Sequence, residues 1–283
     1  MPFLDLYVFV YPRTPLAFMQ SHVSVLFAIL VLLAASFVAG DNTDTGKAFL
    51  GRAWQLDANA TYLTADVINT FLREFGPVVS SFPGFEEYVG SIVDNSDNFF
   101  FNVFDTAAEA STAQTAAKNF YTSSVLSSQI SPVQFFSGTF GFHYKAQPAV
   151  TVAGRYLSVR YWQLQQGATY GPQDVLNAFQ SGFAPVVQTF AGFQQYAGIL
   201  LTGDATHVLF FNVFDSREQA AAANAAAKSF VTDGVLSSQI SIVFAVTAAA
   251  MYDLQPAEES SSSHENRPHN ELNFIFSGML PSN

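Results

Sequence analysis

The hexapeptide FFNVFD occurs twice in this chain, at Phe100–Asp105 and again at Phe210–Asp215. Its aromatic and β-branched residues predict a β-strand that ends at the aspartate. Each copy leads directly into a capping box, Thr106–Glu109 or Ser216–Gln219, in which a hydroxyl and a later polar side chain satisfy free backbone N–H groups. The stretch therefore predicts a strand that leads directly into a capped helix, once in each copy.

The duplication extends well beyond the hexapeptide. FGPVVSSFPGFEEYVG at Phe75–Gly90 matches FAPVVQTFAGFQQYAG at Phe183–Gly198, and VLSSQIS at Val125–Ser131 recurs unchanged at Val235–Ser241. The two copies are offset by 108 residues before the FFNVFD strand and by 110 residues from that strand onward, so the second copy has the longer preceding turn. A length change at a turn, with both flanks intact, indicates the duplication of a folded unit.

Each copy has the same order of predicted elements. A strand with a tryptophan, RAWQL at Arg52–Leu56 or RYWQL at Arg160–Leu164, precedes a helix whose apolar residues recur at helical spacing. A strand, a turn and the FFNVFD strand follow, and a capped alanine-rich helix and a last strand complete the copy. This order, β-α-β-β-α-β, is that of a ferredoxin-like unit.

The FFNVFD strand is apolar on both faces, since Phe100 points to one side and Phe101 to the other. A sheet with one solvated face would alternate with polar residues instead. Helices cover only one face of a ferredoxin-like unit, so we expect the two open faces to meet. The sequence therefore predicts an α+β protein in which two tandem ferredoxin-like units, residues 50–148 and 154–254, close into an intrachain pseudo-dimeric α+β barrel.

The element PGFEEYVG with FFNVFDTAAEA, and its counterpart AGFQQYAG with FFNVFDSREQA, resemble a known domain. It is the antibiotic biosynthesis monooxygenase-like (ABM) domain of the dimeric α+β barrel superfamily. The resemblance covers roughly residues 50–254. It implies a barrel made of two paired ferredoxin-like units. The family includes cofactor-free oxygenases and haem-degrading enzymes, so the resemblance is more specific for fold than for function.

The residues of the haem-degrading branch are missing from both copies. Members of that branch carry an Asn on the first strand, a Trp where the helix after the FFNVFD element starts and a His on that helix. Here Phe104 and Phe214 take the Trp position, and neither Thr106–Gln129 nor Ser216–Gln239 contains a histidine. We therefore expect no haem and no other cofactor. The chain has no cysteine and no His and carboxylate cluster with metal-ligand spacing, so we expect no metal site.

Two asparagines and one histidine are candidates for catalysis. Asn102 and Asn212 lie mid-strand among phenylalanines, where a buried amide needs hydrogen-bond partners. Either backbone or water supplies those partners, or the amides orient a ligand or an oxygen intermediate in the lumen between the two sheets. His143 has no counterpart, because Asp253 takes its place in the second copy, and it is either structural or a base. The predicted catalytic residues are Asn102, Asn212 and His143.

A second set of residues is a candidate for substrate binding. Each arginine of the RxW strands shares a strand face with the tryptophan two residues later. Such an arginine either extends to solvent or holds an anionic or enolate substrate at the mouth of a cavity. The tyrosines after each Gly-Phe pair can bury their rings and keep a polar contact at the hydroxyl. We expect substrate to be bound by Arg52, Trp54, Tyr88, Arg160, Trp162 and Tyr196.

The composition is that of a folded, acidic protein. Hydrophobic residues make up 49% of the 283 residues, charged residues only 12%, and Phe occurs 30 times, so a substantial core is expected. The net charge is −11 and Lys and Arg do not cluster, which argues against nucleic acid as a partner. The expected partner is a small apolar or aromatic molecule.

The two ends of the chain predict export and disorder. The uncharged apolar run Val23–Ala39 with small residues before Asp41 is typical of a secretory signal peptide over residues 1–40, and a start at Met19 would give a more ordinary signal. Secretion without membrane contact is expected, and the alternative is an uncleaved membrane anchor. The polar, Ser-rich composition of residues 256–283 predicts a disordered tail.

Three functions fit these features. The first is a secreted, cofactor-independent monooxygenase that acts on an aromatic or polyketide-like small molecule. The second is a non-catalytic barrel that binds a small molecule, and the third is a structural or stress-response barrel with a packed interior. An open lumen that exposes both asparagines favours the first two functions, and a filled lumen favours the third.

Overall fold

The computed structural model of the protein describes residues 44–147 and 151–256. The predicted signal peptide over residues 1–40 and nearly all of the predicted tail lie outside the described residues. Within the described ranges, no helix combines the length and the apolar character that crossing a membrane requires.

The two repeats fold into the same succession of elements. The first helix of each repeat starts as an α-helix, passes through a five-residue π segment and ends in a short α turn. The first repeat consists of β1 (Ala48–Leu56), α1 (Thr64–Thr70, π segment Phe71–Phe75, Gly76–Val79), β2 (Phe85–Ile92), β3 (Asp97–Phe104), α2 (Ala107–Ser123) and β4 (Ile130–Lys145). The second repeat consists of β5 (Tyr156–Leu164), α3 (Pro172–Ala178, π segment Phe179–Phe183, Ala184–Val187), β6 (Phe193–Leu201), β7 (His207–Phe214), α4 (Arg217–Thr232) and β8 (Ile240–Leu254).

The eight strands form one closed antiparallel barrel in the order β1-β3-β2-β8-β5-β7-β6-β4. Each FFNVFD strand, β3 or β7, lies between two strands of its own repeat. The repeats join at two seams, where β4 pairs with β6 and β2 pairs with β8. Phe104 pairs with Ala48 and Phe214 pairs with Tyr156, so the two FFNVFD strands have equivalent registers. The predicted α+β class and the intrachain barrel are confirmed.

Phenylalanine rings from both repeats fill the centre of the barrel lumen. Phe101 of β3 stacks on Phe211 of β7 with 5.2 Å between ring centroids, and Phe49 of β1 lies 6.2 Å from the same Phe211 ring. Phe140 of β4 also packs edge-on against Phe211 at 6.2 Å. All four side chains are buried. The bare faces of the two sheets therefore meet in a close-packed apolar core.

The opposite face of each sheet packs against its own two helices. In the first repeat, Phe100 lies 4.6 Å from Phe71 of α1 between ring centroids. The small residues Ala110, Ala113 and Ala117 of α2 are buried against the same face. Alanine leaves little distance between helix and sheet, which explains the alanine-rich composition of this helix and of its counterpart in the second repeat. The polar candidates lie in this layer, which we call the helix–sheet layer.

The Gly-Phe element and the capping box form one corner. Gly84 has a φ of +65° and its carbonyl accepts a hydrogen bond of 2.8 Å from the backbone N–H of Asp105. A Cβ atom at Gly84 would collide with the carboxylate of Glu109. That carboxylate accepts a hydrogen bond of 3.0 Å from the backbone N–H of Thr106 and completes the capping box. Glycine is required here by its backbone conformation and by the space that Glu109 occupies.

Gly84→Ala and Gly203→Ala test this corner against a matched control. Gly203 also has a positive φ, of +75°, but no atom lies within 4 Å of a Cβ built there. Gly203→Ala is expected to destabilise the fold by about 1–2 kcal/mol through backbone strain. Gly84→Ala is expected to add roughly 1 kcal/mol because it also displaces the cap. Urea unfolding measures both values, and equal losses would contradict the proposed corner.

Candidate functional site

All the polar candidates except His143 lie in the helix–sheet layers and not in the lumen. Asn102 alternates along β3 with Phe101 and Val103, which fill the lumen, so its side chain shares the helix face with Phe100 and Phe104. The alternative in which the asparagines orient a ligand in the lumen is therefore wrong. The same alternation puts the other polar candidates on the helix faces of their strands: Arg52, Trp54 and Tyr88 in the first repeat, and Arg160, Trp162, Tyr196 and Asn212 in the second.

Arg52 and Asn102 form a buried pair in the first repeat. The Nη1 of Arg52, whose side chain is 4% exposed, donates a hydrogen bond of 2.6 Å to Oδ1 of Asn102. Within residues 44–147 and 151–256, Arg52 forms no ion pair with a carboxylate. Burial lowers the pKa of Arg52, while the nearby Tyr88 and Tyr252 favour its charged form. Arginine nevertheless stays protonated in proteins, so the first layer contains a buried cation without an anion.

Four nitrogen atoms in the first layer have N–H groups that lack an acceptor. They are Nη2 of Arg52, Nδ2 of Asn98, Nδ2 of Asn102 and Nε1 of Trp54, and all four atoms are buried without a hydrogen-bond partner among the described residues. Each unsatisfied buried group costs about 1–3 kcal/mol of stability. Because these groups are donors on neighbouring positions of β1 and β3, the layer is suited to a ligand that supplies oxygen acceptors.

In the second layer, protein oxygens accept more of the hydrogen bonds that the arginine can donate. Nη2 of Arg160 donates to Asn212, and Nη1 donates a hydrogen bond of 3.0 Å to Oδ1 of Asn224 on α4. Ser158 also donates to Asn224. At the positions of Ser158 and Asn224, the first repeat has Leu50 and Gln114. Burial lowers the pKa of Arg160 to about 10. Both terminal nitrogens of Arg160 are thus occupied by protein oxygens, whereas Nε of Arg160 has no partner among the described residues. Trp162, Asn212 and Tyr196 also retain unpartnered atoms.

Tyr252 brings a hydroxyl from the second repeat into the first layer. It pairs with Gly90 across the β2–β8 seam, and its ring lies over that glycine, 5.2 Å from the Tyr88 ring. At the other seam, Phe142 takes the equivalent position over Gly198. The Tyr252 hydroxyl is buried and has no hydrogen-bond partner of normal geometry. Sequence reasoning missed Tyr252 because its neighbours belong to the other repeat.

The helix above each layer contains the π segment. In the first repeat, Phe71 and Phe75 begin and end this segment, and both are buried. The Phe71 ring contacts Phe100, and the Phe75 ring packs edge-on against Tyr88 at 5.9 Å. Single-turn π segments inside α-helices are rare and occur frequently at functional sites. Both repeats have one directly above the arginine layer.

His143 lies on the other side of the sheet from the asparagines. It stacks on Phe140 in the lumen, with 4.8 Å between ring centroids. Its Nδ1 is 2.8 Å from Oδ2 of Asp44, and its Nε2 is 3.2 Å from Oε1 of Gln195. Burial lowers the pKa of His143, and Asp44 opposes that effect. The three predicted catalytic residues are therefore not brought together: His143 belongs to one end of the lumen.

The residues of the helix–sheet layers do not fit haem. The described chain contains two histidines, His143 and His207. His143 faces the lumen, and His207 stacks on Tyr161, whose side chain also belongs to the lumen cluster. Neither layer therefore offers a histidine as an axial ligand, and aromatic rings occupy the space beside each arginine. The described residues also contain no group of three or more His, Cys, Asp or Glu that could hold a metal ion.

Asn102→Leu tests the buried pair. It leaves the Arg52 guanidinium without its acceptor and is expected to destabilise the protein by about 3 kcal/mol. The double variant Arg52→Met/Asn102→Leu removes the charge as well and should recover most of that loss. Asn98→Val is the control, because neither polar atom of Asn98 has a partner and the second repeat carries Val208 at this position.

Chemical denaturation measures the free energy of unfolding of the wild type and of these three variants. Asn98→Val should leave stability unchanged or raise it by about 1 kcal/mol, since it removes an unsatisfied buried amide. An Asn102→Leu variant as stable as the wild type would show that Arg52 does not depend on Asn102.

Solved structures resemble this chain in fold. No protein-family model and no curated protein matches it. An anthrone oxidase-like protein matches with a TM-score of 0.52 and 12% identity, over 77% of this chain and 97% of that one. A candidate monooxygenase from Fusobacterium nucleatum subsp. nucleatum matches with a TM-score of 0.57 and 6% identity, over 75% of this chain and 95% of that one.

A candidate chlorite dismutase also matches, with a TM-score of 0.51 and 10% identity, over 73% of this chain and 95% of that one. These three proteins are named for different chemistries, so their likeness decides neither activity nor cofactor. What they share with this chain is the overall fold. The chain therefore has the ABM-like dimeric α+β barrel fold, with both halves of the barrel in one polypeptide.

Proposed function

We propose that this protein is a cofactor-independent oxygenase whose site is the helix–sheet layer of the first repeat. One observation carries the proposal: Arg52 is a buried cation without a carboxylate partner in the described chain, and further N–H groups of the same layer lack acceptors. A group of donors of this kind stabilises an oxyanion. The names of two structural neighbours, an anthrone oxidase-like protein and a candidate monooxygenase, support the same class of reaction.

The substrate proposed is an aromatic or polyketide-like molecule with an acidic hydroxyl. Its phenolate or enolate oxygen accepts from Arg52, Asn102 and Trp54, and its ring packs between the phenylalanines of the layer. Such an anion is electron-rich and reacts with dioxygen without a cofactor. Oxidation of a ring methylene to a carbonyl consumes one O₂ and releases one water, so atoms and electrons balance without another reductant.

The substrate ionises before or during entry. The layer of the first repeat places no carboxylate or histidine next to Arg52 among the described residues, so its contribution is to stabilise the anion. Both Arg52 and Asn102 are buried, and a ligand therefore enters only when α1 moves away from the sheet. The π segment at Phe71–Phe75 interrupts the regular hydrogen bonding of α1 at the point where this movement is needed.

A structural barrel is the competing function. The filled lumen is what such a barrel would have, since aromatic rings from both repeats pack there without space for a ligand. A barrel selected only for packing has no use for an arginine 4% exposed and without an anion, because an apolar residue avoids its desolvation. Substitutions of the equivalent arginines Arg52 and Arg160 distinguish between an oxygenase and a structural barrel.

Oxygen uptake with anthrone as the substrate tests the proposal. Arg52→Met is expected to lower kcat/KM by about 100-fold or more, the effect of losing an oxyanion donor. Arg160→Met changes the equivalent residue in the second layer, where both terminal guanidinium nitrogens already bond to protein oxygens, and the rate should stay within about 3-fold of the wild type. A folded wild-type protein that neither binds nor oxidises anthrone, or equal losses in the two variants, would contradict the proposal.

A further inference from the structure

A small cavity lies at the end of the barrel where His143 is found. Its volume is about 130 Å³. The lining residues form four pairs at equivalent positions of the two repeats: Glu86 with Gln194, Glu87 with Gln195, Lys145 with Gln255 and Ala146 with Pro256. The cavity therefore lies at the pseudo-two-fold axis that relates the repeats. We call it the mouth pocket.

Glu87 is the unusual residue of the mouth pocket. It is 3% exposed, and neither carboxyl oxygen makes a hydrogen bond of normal geometry among the described residues. The neighbouring Gln195 side chain lies close enough to favour the ionised form of Glu87. A β-bulge shifts the register of β2 between Phe85 and Glu87, and Tyr88 then faces the helix–sheet layer. Glu87 consequently points to the lumen side, at the cavity.

The cations near Glu87 already have carboxylate partners. Lys145 of β4 lies 2.9 Å from Oδ2 of Asp44, which also contacts His143. Lys47 lies 3.3 Å from Asp44 and 3.1 Å from Glu86. Among the described residues no cation forms an ion pair with Glu87, although Lys145 lines the same cavity and its charge lowers the pKa of Glu87.

A second acidic group adds to the negative charge of this region. Asp253 of β8 raises the pKa of Glu87 through its charge, and its Oδ1 is buried without a partner. Both oxygens of Glu87 and this oxygen of Asp253 are acceptors in their ionised forms. Around the mouth pocket, the unpartnered atoms of Glu87 and Asp253 are thus carboxyl oxygens, whereas most of those in the helix–sheet layer of the first repeat are N–H groups.

We propose that the mouth pocket binds a small organic cation with several N–H groups, a primary ammonium or a guanidinium, with Glu87 as its counter-ion. A guanidinium group fits a cavity of this volume and presents donors to both carboxylate oxygens at once. Gln195 takes the equivalent position in the other repeat and is uncharged, so only one of the two positions carries a carboxyl group. A ligand with one positive charge matches this arrangement.

Binding of the cation is coupled to the release of a proton. Burial raises the pKa of Glu87 to about 8, Asp253 and Asp44 add to this effect, and Lys145 opposes it. The carboxyl group is therefore largely protonated near pH 7, and a bound cation ionises it and sends its proton to solvent. The affinity should rise as the pH increases toward 8.

The same pKa determines how the ligand-free protein responds to pH. The pKa of Glu87 in the folded state lies above its ordinary value of 4.5, so the folded state holds the proton more tightly than the unfolded state does. Glu87 therefore lowers stability as the pH rises from about 4.5 to about 8. The other groups that face it, Asp44, Glu86, His143, Lys145 and Asp253, remain in the Glu87→Gln variant, which isolates this contribution.

Isothermal titration with methylguanidinium chloride tests the proposal. Glu87→Gln is expected to weaken binding by about 10-fold or more, the effect of removing a charged acceptor. Glu86→Gln removes the same charge from the rim of the pocket, and binding should stay within about 3-fold. Arg52→Met should bind normally, which separates this proposal from the oxygenase function. In buffers of different ionisation enthalpy, the wild type should release close to one proton near pH 7.

Three results would overturn the proposal. They are equal affinities of the wild type and Glu87→Gln, equal binding of tetramethylammonium, which has no N–H group, and no binding to the folded wild type. If Glu87→Gln fails to fold, the proposal is still tested by the proton release and by the preference for methylguanidinium over tetramethylammonium, because both are measured on the wild type.

Discussion

The alternation of side chains along the FFNVFD strand constrains the rest of the structure. Phe99, Phe101 and Val103 point one way and Phe100 and Phe104 point the other, so neither face of the sheet tolerates water. The capped helix that follows the strand, together with α1, covers one face. The other face requires a second sheet of the same kind, which the second repeat supplies. Duplication and closure into a barrel are thus consequences of one strand that is apolar on both sides.

The polar groups of the two proposed sites lie at two places that the apolar packing leaves free, and the two places differ in charge. Among the described residues, most of the unpartnered atoms under α1 around Arg52 are N–H donors, and those of Glu87 and Asp253 at the mouth pocket are carboxyl oxygens. Two pairs of consecutive residues, Glu87-Tyr88 and Tyr252-Asp253, connect these places. The tyrosine of each pair faces the helix–sheet layer, and the acidic residue faces the pocket region. The β2–β8 seam between the repeats therefore borders both proposed sites. A substitution in this seam affects a cation site and an anion site together.

The sequence predicted the elements, their order, the capping boxes and the barrel, since repetition and the period of two determine all of these. It also placed each candidate arginine and asparagine with the correct neighbours on its strand. It failed on which face looks into the lumen, because with phenylalanine on both faces the pattern has no polar side to identify. Tyr252, Asn224 and the contact of His143 with Asp44 were missed because each depends on pairing between distant elements.

The most direct test of the account is an experimental electron-density map of the first helix–sheet layer at a resolution that shows ordered water. Density is expected for an anion or a water that bridges Nη2 of Arg52 and Nδ2 of Asn102, two donors that have no partner among the described residues. In the second repeat, both terminal nitrogens of Arg160 should instead contact Asn212 and Asn224. A map in which Arg52 donates all its hydrogen bonds to protein oxygens, with nothing between Arg52 and Asn102, would contradict the account.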